Sequence, residues 1–183
     1  TEAEAIRKSL SQRKLASVYL SDRDSVFDSP EAQDLLYLLR ACAEPSVDRL
    51  LRAALATRSI GLSWLTLEQL NHDELYWEQQ VLRFRDYRHL WQQQGVLPML
   101  RKLMADFQIP ARLLLQTDGE RSLTNLLHLA EWLQRSATEL DGENALIRHL
   151  AEQLQAASEE EILRLESDAD LIKVITVHKS KGL

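Results

Sequence analysis

A single cysteine in 183 residues rules out an internal disulfide. Cys42, set in a leucine-rich helical stretch, reads as a small buried apolar side chain in a reducing compartment. No stretch approaches the ~18 apolar residues of a spanning helix, and the first residues lack a signal-peptide core, so the expectation is a cytoplasmic protein without membrane contact. There is no low-complexity segment and no internal repeat. The phosphate-loop pattern G-x-x-x-x-G-K-[ST] is absent, so nucleotide hydrolysis cannot be assembled from these residues alone. His72, His89, His128 and His149 lack metal-ligand spacing and read as surface or structural residues. No carboxylate pair, Ser/His/Asp set or Cys/His set stands out, so the expectation is no catalytic residue and no metal site. Basic charge is also short: the net charge of −6 argues against a free-standing, tightly binding nucleic-acid module, and any DNA contact has to be local.

What is present is an ordinary globular composition, 45% hydrophobic and 27% charged, long enough for one domain with a core or one domain plus part of another. Ala3, Ile6 and Leu10 recur at helical spacing, and Ala16 to Leu20 reads as a short strand. Ser29-Pro30-Glu31 is a helix start, with a serine cap, a proline whose missing N–H costs nothing in the first turn, and an acid at the positive end of the dipole. That helix runs to about Ala43, ahead of Pro45, and a second follows through Leu50, Leu51 and Leu55. Thr57-Arg58-Ser59-Ile60-Gly61 then breaks the pattern.

Beyond it the sequence is helical. Trp77, Val81, Phe84 and Trp91 form one stripe of a long helix from about Asp73 to Gln94, ended by Gly95. Pro98 opens another, with Leu100, Leu103, Met104 and Phe107 inward. Leu123 to Leu140 gives a third, closed by Asp141-Gly142, and Leu146, Ile147, Leu150 and Leu154 a fourth. Ser158-Glu159-Glu160-Glu161 is expected to cap a separate short helix. Trp64, Trp77, Trp91 and Trp132 read as packing residues, with base stacking as the alternative. Arg83, Arg85, Arg88, Arg101 and Lys102 form a modest basic concentration, either a solvated face or a contact for a DNA backbone or an acidic partner.

Ile172, Val174, Ile175 and Val177 are β-branched and read as a strand buried in a parallel sheet. Thr176, His178, Lys179, Ser180 and Lys181 stand at its carboxyl end, the edge at which open α/β sheets bind ligands. The whole reads as strand-bearing ends around a helical middle: a helical bundle inserted into an α/β domain, leaving through Gly61 and returning near 166–170. His178 is the candidate ligand-facing residue, with a solvated loop histidine as the alternative.

Thr176-Val177-His178-Lys179-Ser180-Lys181-Gly182-Leu183 closely resembles the fifth signature motif, T-x-H-x-x-K-G-L-E-[FY], of UvrD-like superfamily-one DNA helicases. Tyr19 to Leu39 is similar to the part of their second motor domain that precedes its insertion, and Thr1-Glu2-Ala3 to the tail of their fourth motif. Thr57 to Gly61 stands where they carry R-G-I-G. Gly119-Glu120-Arg121-Ser122-Leu123-Thr124-Asn125-Leu126 is similar to the insertion of the exodeoxyribonuclease V beta-subunit branch.

The resemblance implies a mainly α fragment: residues 1–60 part of a second RecA-like motor domain, 61–165 an inserted helical accessory domain, and 166–183 the return strand ending in the fifth motif. It implies a parent that is an ATP-dependent DNA helicase and exonuclease subunit for double-strand break repair and recombination. That parent would use ATP and Mg2+ bound elsewhere, with DNA and the other exodeoxyribonuclease V subunits as partners. The segment alone is expected to be inactive and without a cofactor. Thr176, His178 and Lys179 would face the DNA strand, Gly182 the nucleotide side, and Lys181 would add positive potential or serve structure. A helical module that docks a partner subunit, with no direct DNA role, is the alternative.

Overall fold

The computed structural model describes residues 25–166 and two short strands, with side chains described over 25–159. Two compact units divide the chain, Thr1–Ser25 with Gln155–Leu183, and Val26–Leu154. In the first, β1 (Ser17–Tyr19) and β2 (Ile172–Val174) pair in parallel, with Ser17 opposite Ile172 and Tyr19 opposite Val174. The stretches 1–16 and 175–183 lie outside the described residues, and with them the amino-terminal helical pattern and the end of the last strand.

The second unit is mainly helical. Its first helix, α1 (Pro30–Ala43), starts where Ser29-Pro30 predicts: the Ser29 hydroxyl accepts a hydrogen bond from the Ala32 amide at 3.3 Å, and Pro30 occupies the first turn. Ala32, Leu35, Leu36, Leu38, Leu39, Ala41 and Cys42 are all buried. A helix apolar on nearly every side has to be surrounded, and α1 packs against α2 (Asp48–Leu55), α4 (Glu74–Gln94) and α7 (Gly119–Ser136). The Cys42 thiol sits 3.8 Å from the Met99 sulfur, and burial pushes its pKa upward, which suits a packing residue.

Asp73 caps α4 by accepting from the Tyr76 amide at 2.9 Å, and Gly95, at φ 96°, ends it. Phe84, Tyr87 and Trp91 are buried along α4, while Trp77 and Val81 are half-buried against the same core. After Gly95 comes α5 (Val96–Asp106), which starts two residues before Pro98 and buries Leu100, Leu103 and Met104. A short helix, α6 (Ile109–Leu113), leads through a turn to α7.

Two helical expectations change. Trp64–His72 forms α3, capped by Ser63 through the Thr66 amide at 3.1 Å. Its Trp64 is 80% exposed, so it is not a packing residue. The expected break at Ser158 does not occur: α8 runs unbroken over Glu143–Glu166. Nothing between these residues breaks a helix, glutamate is a good helix former, and the Gln155 amide donates to Glu159 one turn on at 2.9 Å.

Trp132 lies edge-on to Phe27 with ring centres 4.9 Å apart, and stacks on His149 at 5.0 Å. Trp77 carries the Arg52 guanidinium 4.2 Å above its ring. Among the described residues no helix is long and apolar enough to cross a membrane.

Candidate functional site

Thr176, His178, Lys179, Lys181 and Gly182, the residues the terminal motif singles out, lie outside the described residues. Within the helical unit, three stretches that carry the family-like sequence meet in one polar node. Asp34 on α1 accepts from both the amide and the hydroxyl of Ser59, each at 2.8 Å. Thr57 tightens the same turn by donating its hydroxyl to the Ala54 carbonyl at 2.7 Å and accepting from the Ile60 amide at 3.3 Å. Thr57 and Ser59 are buried, so each of these bonds answers a group that water does not reach.

Arg112, near the end of α6, completes the turn from the other side. Its guanidinium donates to the Ser59 carbonyl at 2.5 Å and to the Ile60 carbonyl. Gly61 sits at φ +62°, a backbone conformation that favours glycine, and a Cβ there would push aside the tip of the flexible Arg112 side chain. Burial lowers the Arg112 pKa, yet a guanidinium starts so high that it stays charged.

The third stretch enters through α7. Asn125 donates to the Glu31 carboxylate at 3.0 Å, joining the start of α1 to α7. Burial alone would raise the Glu31 pKa; hydrogen bonds from Asn125 and Ser122, with the Arg58 charge, outweigh it and hold the carboxyl below its usual range. Gly119, the first residue of α7, has no room for a side chain, because its Cβ would fall 1.7 Å from the Leu113 carbonyl oxygen. The space enclosed by Glu31, Asp34, Arg58, Ser59 and Ser122 is only about 10 Å³. This node is a joint between helices and has no room for a substrate.

The expected basic concentration is dispersed by its own neighbours. Lys102 pairs with Asp106 at 2.6 Å, and Asp106 also accepts from the Tyr87 hydroxyl at 2.9 Å. Arg88 faces Glu143 at 3.7 Å, and Arg83 lies 5.2 Å from the centre of the Phe107 ring. Arg85 and Arg101 are exposed, with no such contact among the described residues. A pair of guanidiniums is a thin basis for a phosphate-tracking groove, which needs several cations in line. Among the described residues, no group of three or more His, Cys, Asp or Glu could hold a metal ion.

No family model matches the sequence. Individual proteins do. The chain is 46% identical over 186 residues to the RecBCD enzyme subunit RecB of Escherichia coli, and 42% identical over 183 residues to that of Haemophilus influenzae. RecB of Mycobacterium tuberculosis is 32% identical over 186 residues. Each alignment covers 100% of this chain, and the chain spans 15–16% of the length of these relatives. With every residue inside alignments at this level of identity, the chain belongs to the RecB family and corresponds to about one sixth of such a protein.

Proposed function

We propose that the chain is part of an ATP-dependent DNA helicase and exonuclease subunit that acts in double-strand break repair and recombination. The observation that carries this reading is the identity to RecB along the whole chain, joined to the terminal sequence Thr176 to Leu183. In this reading residues 1–60 belong to a second RecA-like motor domain, 61–165 to a helical accessory domain inserted in it, and 166–183 return to the motor. The parallel pairing of β1 with β2 suits strands of one motor sheet.

Thr176 and His178 then offer a hydroxyl and an imidazole to the phosphate or sugar oxygens of a single strand, and Lys179 adds positive potential. Gly182 lies toward the nucleotide. ATP supplies the energy of translocation, and Mg2+ serves both ATP and the nuclease. Both bind at residues of the parent other than these, so the segment alone turns over no ATP. The test is ATP hydrolysis by the full-length protein with and without single-stranded DNA. Strong stimulation by DNA is expected, and its absence contradicts the reading.

For the helical unit itself, contact with a partner subunit has a specific observation in its favour over contact with duplex DNA. Three of its five clustered cations, Arg83, Arg88 and Lys102, are already engaged within the fold, while large apolar side chains stand in solvent. The relatives are subunits of a multi-subunit enzyme by name.

A further inference from the structure

Gly61 divides the sequence into a part that resembles a motor domain and a part that resembles its insertion. A chain that bends at such a point needs a turn with few bonds across it, able to absorb a change of φ and ψ. The turn at 57–61 has the opposite character. Its Gly61 amide donates to the Thr57 carbonyl at 3.0 Å, and its Thr57 amide to the Ala54 carbonyl at 3.1 Å. Asp34 holds the Ser59 amide, the Thr57 hydroxyl holds the Ile60 amide, and Arg112 holds the carbonyls of Ser59 and Ile60. Thr57, Ser59 and Ile60 are buried, so a bend here breaks bonds that water does not replace.

The contacts that join the two sides of Gly61 are also spread in space. At the start of α1, Glu31 accepts from Asn125 on α7, and just ahead of it Phe27 lies edge-on to Trp132 of the same helix. At the other end of α1, the Cys42 thiol touches the Met99 sulfur on α5 at 3.8 Å. Glu31 and Cys42 are 11 positions apart, which is about 16 Å along a helix that rises 1.5 Å per residue. A rotation about α1 itself would spare both contacts. A third contact blocks it: Arg52 on α2 donates to Asn71 on α3 at 2.6 Å and lies 4.2 Å above the Trp77 ring on α4. Since α2 packs beside α1, this point stands about 8–10 Å off the α1 axis. Three points that are not in line fix a body. Opening at Gly61 would in addition strip α4 and α7 from α1, whose Leu35, Leu36, Leu38 and Leu39 are all buried.

We infer that the entry into the insertion is a locked joint and not a hinge, and that α1 and α2 travel with α3 to α7 as one body. This rests on the proposed reading of the chain as an insertion within a motor domain. Within that reading it moves the mechanical start of the insertion from Gly61 back to Val26, where the compact helical unit begins. Any reorientation of the accessory helices in the working motor then carries α1 and α2 along.

The test measures one distance in the full-length protein by double electron–electron resonance. Spin labels go on Arg49→Cys of α2 and Glu131→Cys of α7, both exposed positions, in a background free of other reactive thiols. The states compared are the free protein, its complex with single-stranded DNA, and that complex with a non-hydrolysable ATP analogue. The distance should stay constant to within about 2 Å, the scale of helix shifts inside a packed body. A second population or a larger shift in any state overturns the proposal. Amide hydrogen exchange of the unlabelled protein gives an independent reading: Ser59, Ile60 and Gly61 should exchange within about tenfold of Leu38 and Leu39 in all three states. Exchange at the rate of an open turn overturns the proposal as well. ATP hydrolysis by the unlabelled protein that DNA fails to stimulate would instead overturn the motor reading on which the proposal stands.

Discussion

Ser59 directs both of its hydrogen-bond donors, the backbone amide and the hydroxyl, at one carboxylate oxygen of Asp34, 25 positions earlier in the chain and 2.8 Å away. One side chain on α1 thereby fixes the turn at Thr57 to Gly61, and Arg112 fixes it from the opposite side. Asp34→Ala leaves two buried donors unsatisfied, each worth about 1–3 kcal/mol. Urea denaturation should therefore show a loss of at least about 1–3 kcal/mol. Unchanged stability would mean that water replaces the carboxylate.

Gly119 should separate from Gly142. Gly119→Ala places a carbon where the Leu113 carbonyl oxygen already stands, so α6 or α7 must move, at about 1–3 kcal/mol or more. Gly142 has φ +84°, and nothing lies within 4 Å of its Cβ position. Gly142→Ala should cost only the left-handed backbone penalty, about 1–2 kcal/mol. A smaller loss for Gly119→Ala than for Gly142→Ala in denaturant titrations would contradict the packing at Leu113.

Glu31 gives the stability a defined pH dependence. Its folded pKa is lowered by Asn125, Ser122 and Arg58 against the raising effect of burial. A group with a depressed folded pKa adds stability above its unfolded value, about 4.3–4.5, and loses that contribution as pH falls through the folded value. Melting temperatures measured from pH 6 down to pH 3 should fall less steeply for Glu31→Gln than for the wild-type chain. Parallel curves would show that the carboxylate is not held by these partners.

Tryptophans of the same chemistry should behave differently. Trp91 is 7% exposed, and its truncation to alanine should cost about 3–5 kcal/mol. Trp64→Ala should stay within about 0.5 kcal/mol of wild type, as an exposed substitution does. Thermal melts of the two variants decide the matter, and a large loss for Trp64→Ala would contradict its exposure.

The pattern of residues predicts most of the helical framework because its signals are local. Ser29-Pro30 starts α1, Asp73 and Gly95 bound α4, and leucines at helical spacing mark the buried side of α7. Trp64 misleads because an aromatic residue beside leucines has the composition of a core, and only the fold decides which side of α3 faces outward. Ser158 misleads because a serine before acids satisfies the local rule for a helix start, although an ongoing helix tolerates it. The polar node is invisible to periodicity: Asp34 with Ser59 and Glu31 with Asn125 are brought together by packing across 25 and 94 positions. The one hint lay in the family-like stretches themselves, which contain Glu31, Asp34, Ser59 and Asn125. The terminal motif is legible by resemblance alone, since its residues fall outside the described structure.

We propose that this chain is part of a DNA motor and that its terminal motif faces the translocating strand. Unwinding of duplex DNA by the full-length protein, compared between wild type and His178→Ala with nucleotide affinity measured alongside, tests it most directly. A lost hydrogen bond to a charged oxygen is worth about 1.5–3 kcal/mol, so unwinding should fall about tenfold or more while nucleotide affinity stays nearly unchanged. Wild-type unwinding by the variant, or a loss of nucleotide binding in its place, would contradict the account.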